Sequence, residues 1–94
     1  MNVKMLVFRI HALQRMAQRD ISPDDIRQSL ENGRVVEDYP DDKPYPSCLV
    51  LGWIGKRPLH IVIAENTESR ETIVITVYEP DSIKWMSGFM RRKS

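Results

Sequence analysis

Apolar residues recur at helical spacing early in the chain and at strand spacing later. Over Ile10–Arg19, the positions Ile10, Leu13, Met16 and Ala17 form an apolar stripe, which predicts an amphipathic helix. At about 100° per residue, His11, Arg15 and Arg19 share a sector of about 80° beside that stripe. Asp20 ends the pattern. Ser22-Pro23-Asp24-Asp25 then opens a second helix. Ser22 suits the N-cap, Pro23 the first helical position, and the acids the positive end of the dipole. Ile26 and Leu30 give this helix a narrow apolar face, and Asn32-Gly33 stops it at a left-handed cap.

From Val35 the period changes to that of strands. Val35–Tyr39 reads as a strand, and the proline-rich Pro40–Pro46 as a loop that pairs with nothing regularly. Ser47–Ile54 and Arg57–Ala64 read as a hairpin around Gly55-Lys56, with glycine first as a type II′ turn requires. After the polar loop Glu65–Glu71, Thr72–Tyr78 is the last strand, and Asp81–Phe89 has the signals of a short final helix. The expected fold is α+β: two N-terminal helices followed by a four-stranded, mostly antiparallel sheet.

The hairpin fixes which residues share a face. Pairing Ile54 with Arg57 places Leu51 opposite His60. One face then carries Val50, Ile54, Leu59, Ile61 and Ile63, joined by Ile73, Ile75 and Val77. That face is apolar and needs the helices. The other carries Leu49, Leu51, Trp53, His60, Val62, Val74, Thr76 and Tyr78, a mixed surface suited to binding.

At 94 residues the chain has room for one domain, with a helical part over 9–33, a sheet over 35–79 and a short helix or basic tail over 81–94. Net charge is only +1, so bulk charge does not mark a nucleic-acid binder. Its placement is more telling. Residues 35–48 hold Glu37, Asp38, Asp41 and Asp42 against Lys43, while Lys84, Arg91, Arg92 and Lys93 follow Asp81 with no acid among them. The lone Cys48 excludes an internal disulfide and has no neighbour in sequence to activate it. Two histidines without a paired-ligand pattern predict no metal site, and the lack of a glycine-rich phosphate loop predicts no nucleotide cofactor. No apolar run approaches the roughly 20 residues of a membrane span. The expected location is cytoplasmic.

The segments His11-Ala12 through Arg15-Met16 and Arg19, Ile21-Ser22, Val35–Pro40, Leu49–Gly52, Pro58–Val62 and Ile75–Asp81 with Trp85 resemble a family of small bacterial proteins known as a domain of unknown function. The likeness spans about residues 9–92. That family looks related to the RelE/BrnT and barnase–colicin group of small ribonuclease toxins. The resemblance implies two helices before a four-stranded antiparallel sheet, RNA as substrate, and a cognate antitoxin as protein partner. Asp20 departs from the pattern, where glycine is expected after the arginine, and this predicts a different turn between the helices.

Metal-independent RNA cleavage needs a base for the 2′-hydroxyl, an acid for the leaving oxygen and cations on the phosphorane. The residue types are here. His11 or His60 would trade protons, Arg15 and Arg19 would clamp phosphate, and Tyr78 would donate a proton or stack. Lys84, Arg91 and Arg92 would add substrate-binding charge. Each also has a plainer role. His11 suits a helix start, Arg15 and Arg19 suit stems laid over the core and pairs with Asp24 or Asp38, and His60 suits a half-buried strand position. Trp53 and Trp85 read as packing groups. Two functions therefore stand side by side: a toxin-like endoribonuclease, and a non-catalytic module binding protein or nucleic acid.

Overall fold

The computed structural model describes residues 5–80 and 88–90. Seven elements follow one another: β1 Met5–Phe8, α1 Ile10–Gln18, α2 Pro23–Glu31, β2 Arg34–Tyr39, β3 Ser47–Ile54, β4 Arg57–Asn66 and β5 Glu71–Tyr78. The strands make one five-stranded sheet in the order β1-β5-β4-β3-β2. β2 through β5 form an antiparallel meander, whereas β1 lies parallel to β5, Met5 opposite Glu71 and Phe8 opposite Val74. The sheet is therefore mixed and five-stranded, which corrects the expected four-stranded antiparallel arrangement. The physical reason is that β1 has only four residues and finds its partner across the whole chain. A parallel pairing has no turn between its strands to mark it in sequence.

The hairpin forms as its turn chemistry requires. Leu51 stands opposite His60 and Ile54 opposite Arg57. Gly55 takes φ = 59° while Lys56 stays out of the positive region, the combination a type II′ turn needs. A bulge between Val62 and Ile63 of β4 and the facing β5 moves the register by one residue. Val74 is thereby turned onto the helix side, fully buried in the core, and Ile73 pairs with Ala64 on the other side. This corrects the expected faces, which had Ile73 and Ile75 inward and Val74 outward. One extra residue inverts every side chain beyond it.

Both helices lie on the same side of the sheet, α1 over β5 and α2 over β3. Their buried residues, Ala12 and Met16 of α1 and Ile26 and Leu30 of α2, join Val50, Leu59, Ile61, Ile63, Val74 and Val77 in one core. Only part of the predicted α1 stripe is in it. Met16 is buried, but Ile10, Leu13 and Ala17 face solvent.

The ends of the helices are fixed by local chemistry. The Ile21 N–H donates to the Met16 carbonyl at 2.9 Å, the long bond of a Schellman motif. Asp20 itself takes the left-handed position at φ = 56°, the conformation glycine would adopt there. At α2, the Ser22 hydroxyl accepts from the Asp25 N–H at 3.0 Å and the Asp25 carboxylate accepts from the Ser22 N–H at 3.0 Å, a capping box. Arg57 ties α1 to the sheet: its Nε donates to Glu79 Oε1 at 2.6 Å and its Nη2 to the Arg19 carbonyl at 2.7 Å.

α2 approaches β3 more closely than a side chain would permit. A Cβ on Gly52 would stand 2.5 Å from the Ser29 carbonyl oxygen. Glycine here lets the helix rest on the strand backbone.

The predicted final helix over Asp81–Phe89 lies outside the described residues except at its end. There Gly88 and Phe89 form a turn with φ of 90° and 59°.

Candidate nucleic-acid interface

The face turned away from the helices is built by alternation along three strands. β3 places Leu49, Leu51 and Trp53 on it, β4 places His60 and Val62, and β5 places Thr76 and Tyr78. β2 adds Arg34, directly opposite Leu51. Residues 88–90 lie across this face, and His60 engages them.

His60 is fully buried. Its Nε2 lies 2.9 Å from the Phe89 carbonyl and its Nδ1 lies 3.3 Å from the Tyr78 hydroxyl. A carbonyl only accepts, so Nε2 carries a proton and donates it to Phe89, while Nδ1 stands within hydrogen-bond distance of the Tyr78 hydroxyl. The two rings meet edge to face with centroids 5.3 Å apart. Phe89 in turn packs against Trp53 at 6.3 Å with the rings inclined by 60°. The left-handed backbone at Gly88 and Phe89 brings the Phe89 carbonyl to the imidazole.

Beside this clasp lies a groove of about 360 Å³, lined by Asn32, Arg34, Leu51, Trp53, Gly88 and Met90. Leu51 is its buried apolar member, and Arg34 and Asn32 are exposed. Trp53 keeps 41% of its surface exposed. Asn32 caps α2, its Nδ2 donating to the Gln28 carbonyl at 3.2 Å, and that bond fixes where its amide stands. An open aromatic face, a guanidinium and a carboxamide share one concavity. Together they offer stacking, an anion contact and base-edge hydrogen bonding.

The structure brings together two of the residues singled out in sequence and separates the rest. His60 and Tyr78 touch. His11, Arg15 and Arg19 ride on α1, which packs against the opposite face of the sheet, so His11 and His60 do not share a site. His11 and Arg19 are exposed and Arg15 is half-buried. Among the described residues, neither arginine pairs with Asp24 or Asp38. Lys84, Arg91 and Arg92 lie outside the described residues. Burial, followed by the charges of Asp38 and Glu65, pushes the Cys48 thiol up to about 11, and a protonated thiol is a poor nucleophile. Among the described residues, no cluster of three or more His, Cys, Asp or Glu is placed to hold a metal ion, and no helix is long and apolar enough to cross a membrane.

Sequence reasoning passes over Asn32, which reads only as a helix stop, and Arg34, which counts only as a charge. Trp53 falls on the correct face but reads as packing. The alternation of β3 carries a signal for Trp53. Arg34 becomes visible only with the β2–β3 register, which is broken by a bulge between Val35 and Glu37.

Compared with known families, residues 8–79 match the sequence profile of a domain of unknown function, DUF4258. The chain belongs to that family. No curated protein and no solved structure matches it. None of these comparisons links the chain to the RelE/BrnT ribonuclease toxins. The DUF4258 match takes in Asn32, Arg34, Leu51, Trp53, His60 and Tyr78 and stops before Gly88–Met90. The strip that forms the groove's last wall thus lies beyond the family domain.

Proposed function

We propose that this DUF4258 domain binds single-stranded RNA in the groove between Arg34 and Trp53. The observation that carries the reading is the exposed Trp53 ring beside Arg34 and Asn32 over an apolar floor. Stacking of a base on an aromatic ring contributes roughly 1–3 kcal/mol and tolerates any sequence. A guanidinium beside it recognises phosphate in two-pronged fashion. The groove stands at the small end of ligand clefts, which run from roughly 300 to 1,000 Å³. It therefore suits one or two unpaired nucleotides, with the duplex excluded. A net charge of +1 makes this binding depend more on stacking than on counterion release.

A second reading, RNA cleavage, draws on the contact between His60 Nδ1 and the Tyr78 hydroxyl. Such a pair suits proton transfer to or from a ribose hydroxyl. Both imidazole nitrogens are occupied and the ring is fully buried, so cleavage would require release of the Phe89 carbonyl first.

The test is fluorescence anisotropy with labelled single-stranded RNA, the same mixtures then being run on a denaturing gel. Trp53→Ala is expected to weaken binding by about 5- to 150-fold, the equivalent of one lost stack. Arg34→Ala is expected to weaken it too, while Arg70→Ala, in the β4–β5 turn at the far end of the sheet, leaves it unchanged. Equal affinity for all four proteins would refute the groove. RNA fragmentation that disappears in Tyr78→Phe would favour cleavage over simple binding.

A further inference from the structure

The strip Gly88–Met90 is held to the sheet at two points. His60 Nε2 donates to the Phe89 carbonyl at 2.9 Å, and the Phe89 ring meets Trp53 with centroids 6.3 Å apart and planes inclined by 60°. Among the described residues, no main-chain hydrogen bond ties the strip to a strand. Phe89 is half-buried, while Gly88 and Met90 on either side of it are exposed. Phe89 also holds φ = 59°, a region that an aromatic residue enters only under strain. A strip pinned twice and strained at the pinned residue is built to come away.

The two points it engages belong together. Leu51 is paired with His60 and Trp53 with Pro58, so Trp53 and His60 are diagonal neighbours on one face. Such neighbours stand roughly 7–8 Å apart, a separation one nucleoside bridges. Phe89 presents an aromatic ring to Trp53 and an oxygen acceptor to the His60 N–H, with a short saturated spacer between them. A nucleoside has the same parts: a base, a ribose hydroxyl and the sugar carbons that join them.

We propose that Trp53 and His60 form a second nucleoside subsite beside the groove, and that Phe89 occupies it in place of RNA. The inference rests on the RNA-binding reading and deepens it. When the strip leaves, a base stacks where the Phe89 ring lies, and His60 Nε2 donates to a ribose 2′-oxygen where the Phe89 carbonyl lies. Tyr78, edge to face with the imidazole, keeps that donor in position. The 2′-hydroxyl is what separates RNA from DNA at a given site, so His60 sets the preference for ribose. The family match ends at residue 79: Trp53, His60 and Tyr78 lie within the domain, and the plug comes from the segment after it. RNA affinity is then reduced by the fraction of molecules in which the plug is seated.

Anisotropy with labelled oligouridylate and oligodeoxyuridylate, which differ only at the 2′ position, tests it on the full chain, with circular dichroism confirming each fold. Phe89→Ala is expected to bind oligouridylate at least about 5-fold tighter than wild type, one stack gained, with a smaller gain for the deoxy form. Gly88→Ala is expected to move affinity the same way. Its added Cβ meets nothing within 4 Å, but it resists the φ of 90° on which the turn depends. A second arm reads His60 directly, by diethyl pyrocarbonate modification and peptide mass spectrometry, with exposed His11 as the internal reference. His60 is expected to react faster in Phe89→Ala than in wild type, and to be protected again by oligouridylate. If neither variant exceeds wild type while Trp53→Ala still weakens binding, the plug is refuted and the groove stands. If no protein binds either oligomer, both readings fall. Equal gains for the two oligomers, or a His60 no more reactive in Phe89→Ala than in wild type, would also overturn the proposal.

Discussion

Replacing Gly52 by alanine tests how closely α2 is seated on the sheet. The new Cβ would meet the Ser29 carbonyl oxygen at 2.5 Å, the Ser29 Cβ at 2.7 Å and the Ser29 carbonyl carbon at 2.9 Å, where ordinary contact begins at 3.4 Å. Two of those three atoms are backbone, so no rotamer change relieves the clash. The helix must withdraw by close to an ångström. It takes with it Ile26 and Leu30, both fully buried in the shared core. Overpacking of this kind costs about 1–3 kcal/mol, and the main-chain clash puts Gly52→Ala at the upper end. Set against roughly 5–14 kcal/mol for a chain of this length, the loss is large. At roughly 4–8 °C per kcal/mol, Tm is expected to fall by roughly 10–20 °C. Urea unfolding at unchanged m-value is the direct measurement. Gly55→Ala is the matched control: nothing lies within 4 Å of its added Cβ, and only the positive φ resists it, at about 1 kcal/mol. A Gly52→Ala loss smaller than that of Gly55→Ala would refute this close seating of α2.

Two further outcomes follow from local chemistry. Asp20→Gly is expected to raise stability by about 0.5–1 kcal/mol, because glycine holds the left-handed C′ position without strain; thermal melts of the two proteins check it, and a lower Tm would contradict the Schellman geometry. Cys48, its thiol raised to about 11 from 9.0, is expected to react with iodoacetamide at pH 8 far more slowly in folded than in unfolded protein. A thiol raised this far holds roughly 100-fold less thiolate at that pH. The sign for stability follows from the same cause: the unfolded thiol ionises first, so its contribution is intact below pH 9 and is lost as pH rises toward 11. Equal alkylation rates in the two states would show that burial does not control this thiol.

The elements whose signals are local were legible in the sequence. Ser22, Pro23 and the two acids announced α2, and Gly55-Lys56 fixed the hairpin register that puts Leu51 opposite His60. The elements decided by distant partners were not. Met5–Phe8 is too short to declare itself a strand, and its partner β5 begins more than 60 residues later. The bulge that turns Val74 inward inserts one residue into a run of β-branched side chains, where either register looks equally apolar. The candidate site follows the same division. Trp53, His60 and Tyr78 could be assigned a face from alternation along their strands. Arg34 needed the broken β2–β3 register, and the wall formed by Gly88–Met90 needed a turn built on two positive φ values. The apolar stripe of α1 misled for a different reason. Periodicity marks which positions are apolar, while Ala12 shows that a small residue can take the core position instead.

The parallel pairing of β1 with β5 also sets a schedule for synthesis. At roughly 5–20 residues per second, the ribosome makes Phe8 some 3–13 s before Glu71. Through that interval the Met-Leu-Val-Phe strand is exposed with nothing to pair with, while the hairpin of β3 and β4 completes by itself. The helices gain their full core only when Val74 and Val77 arrive, so assembly is gated by the last strand made. A chain with this order of events closes late and all at once, and its nascent segment is open to chaperones, or to another nascent copy, for most of its translation.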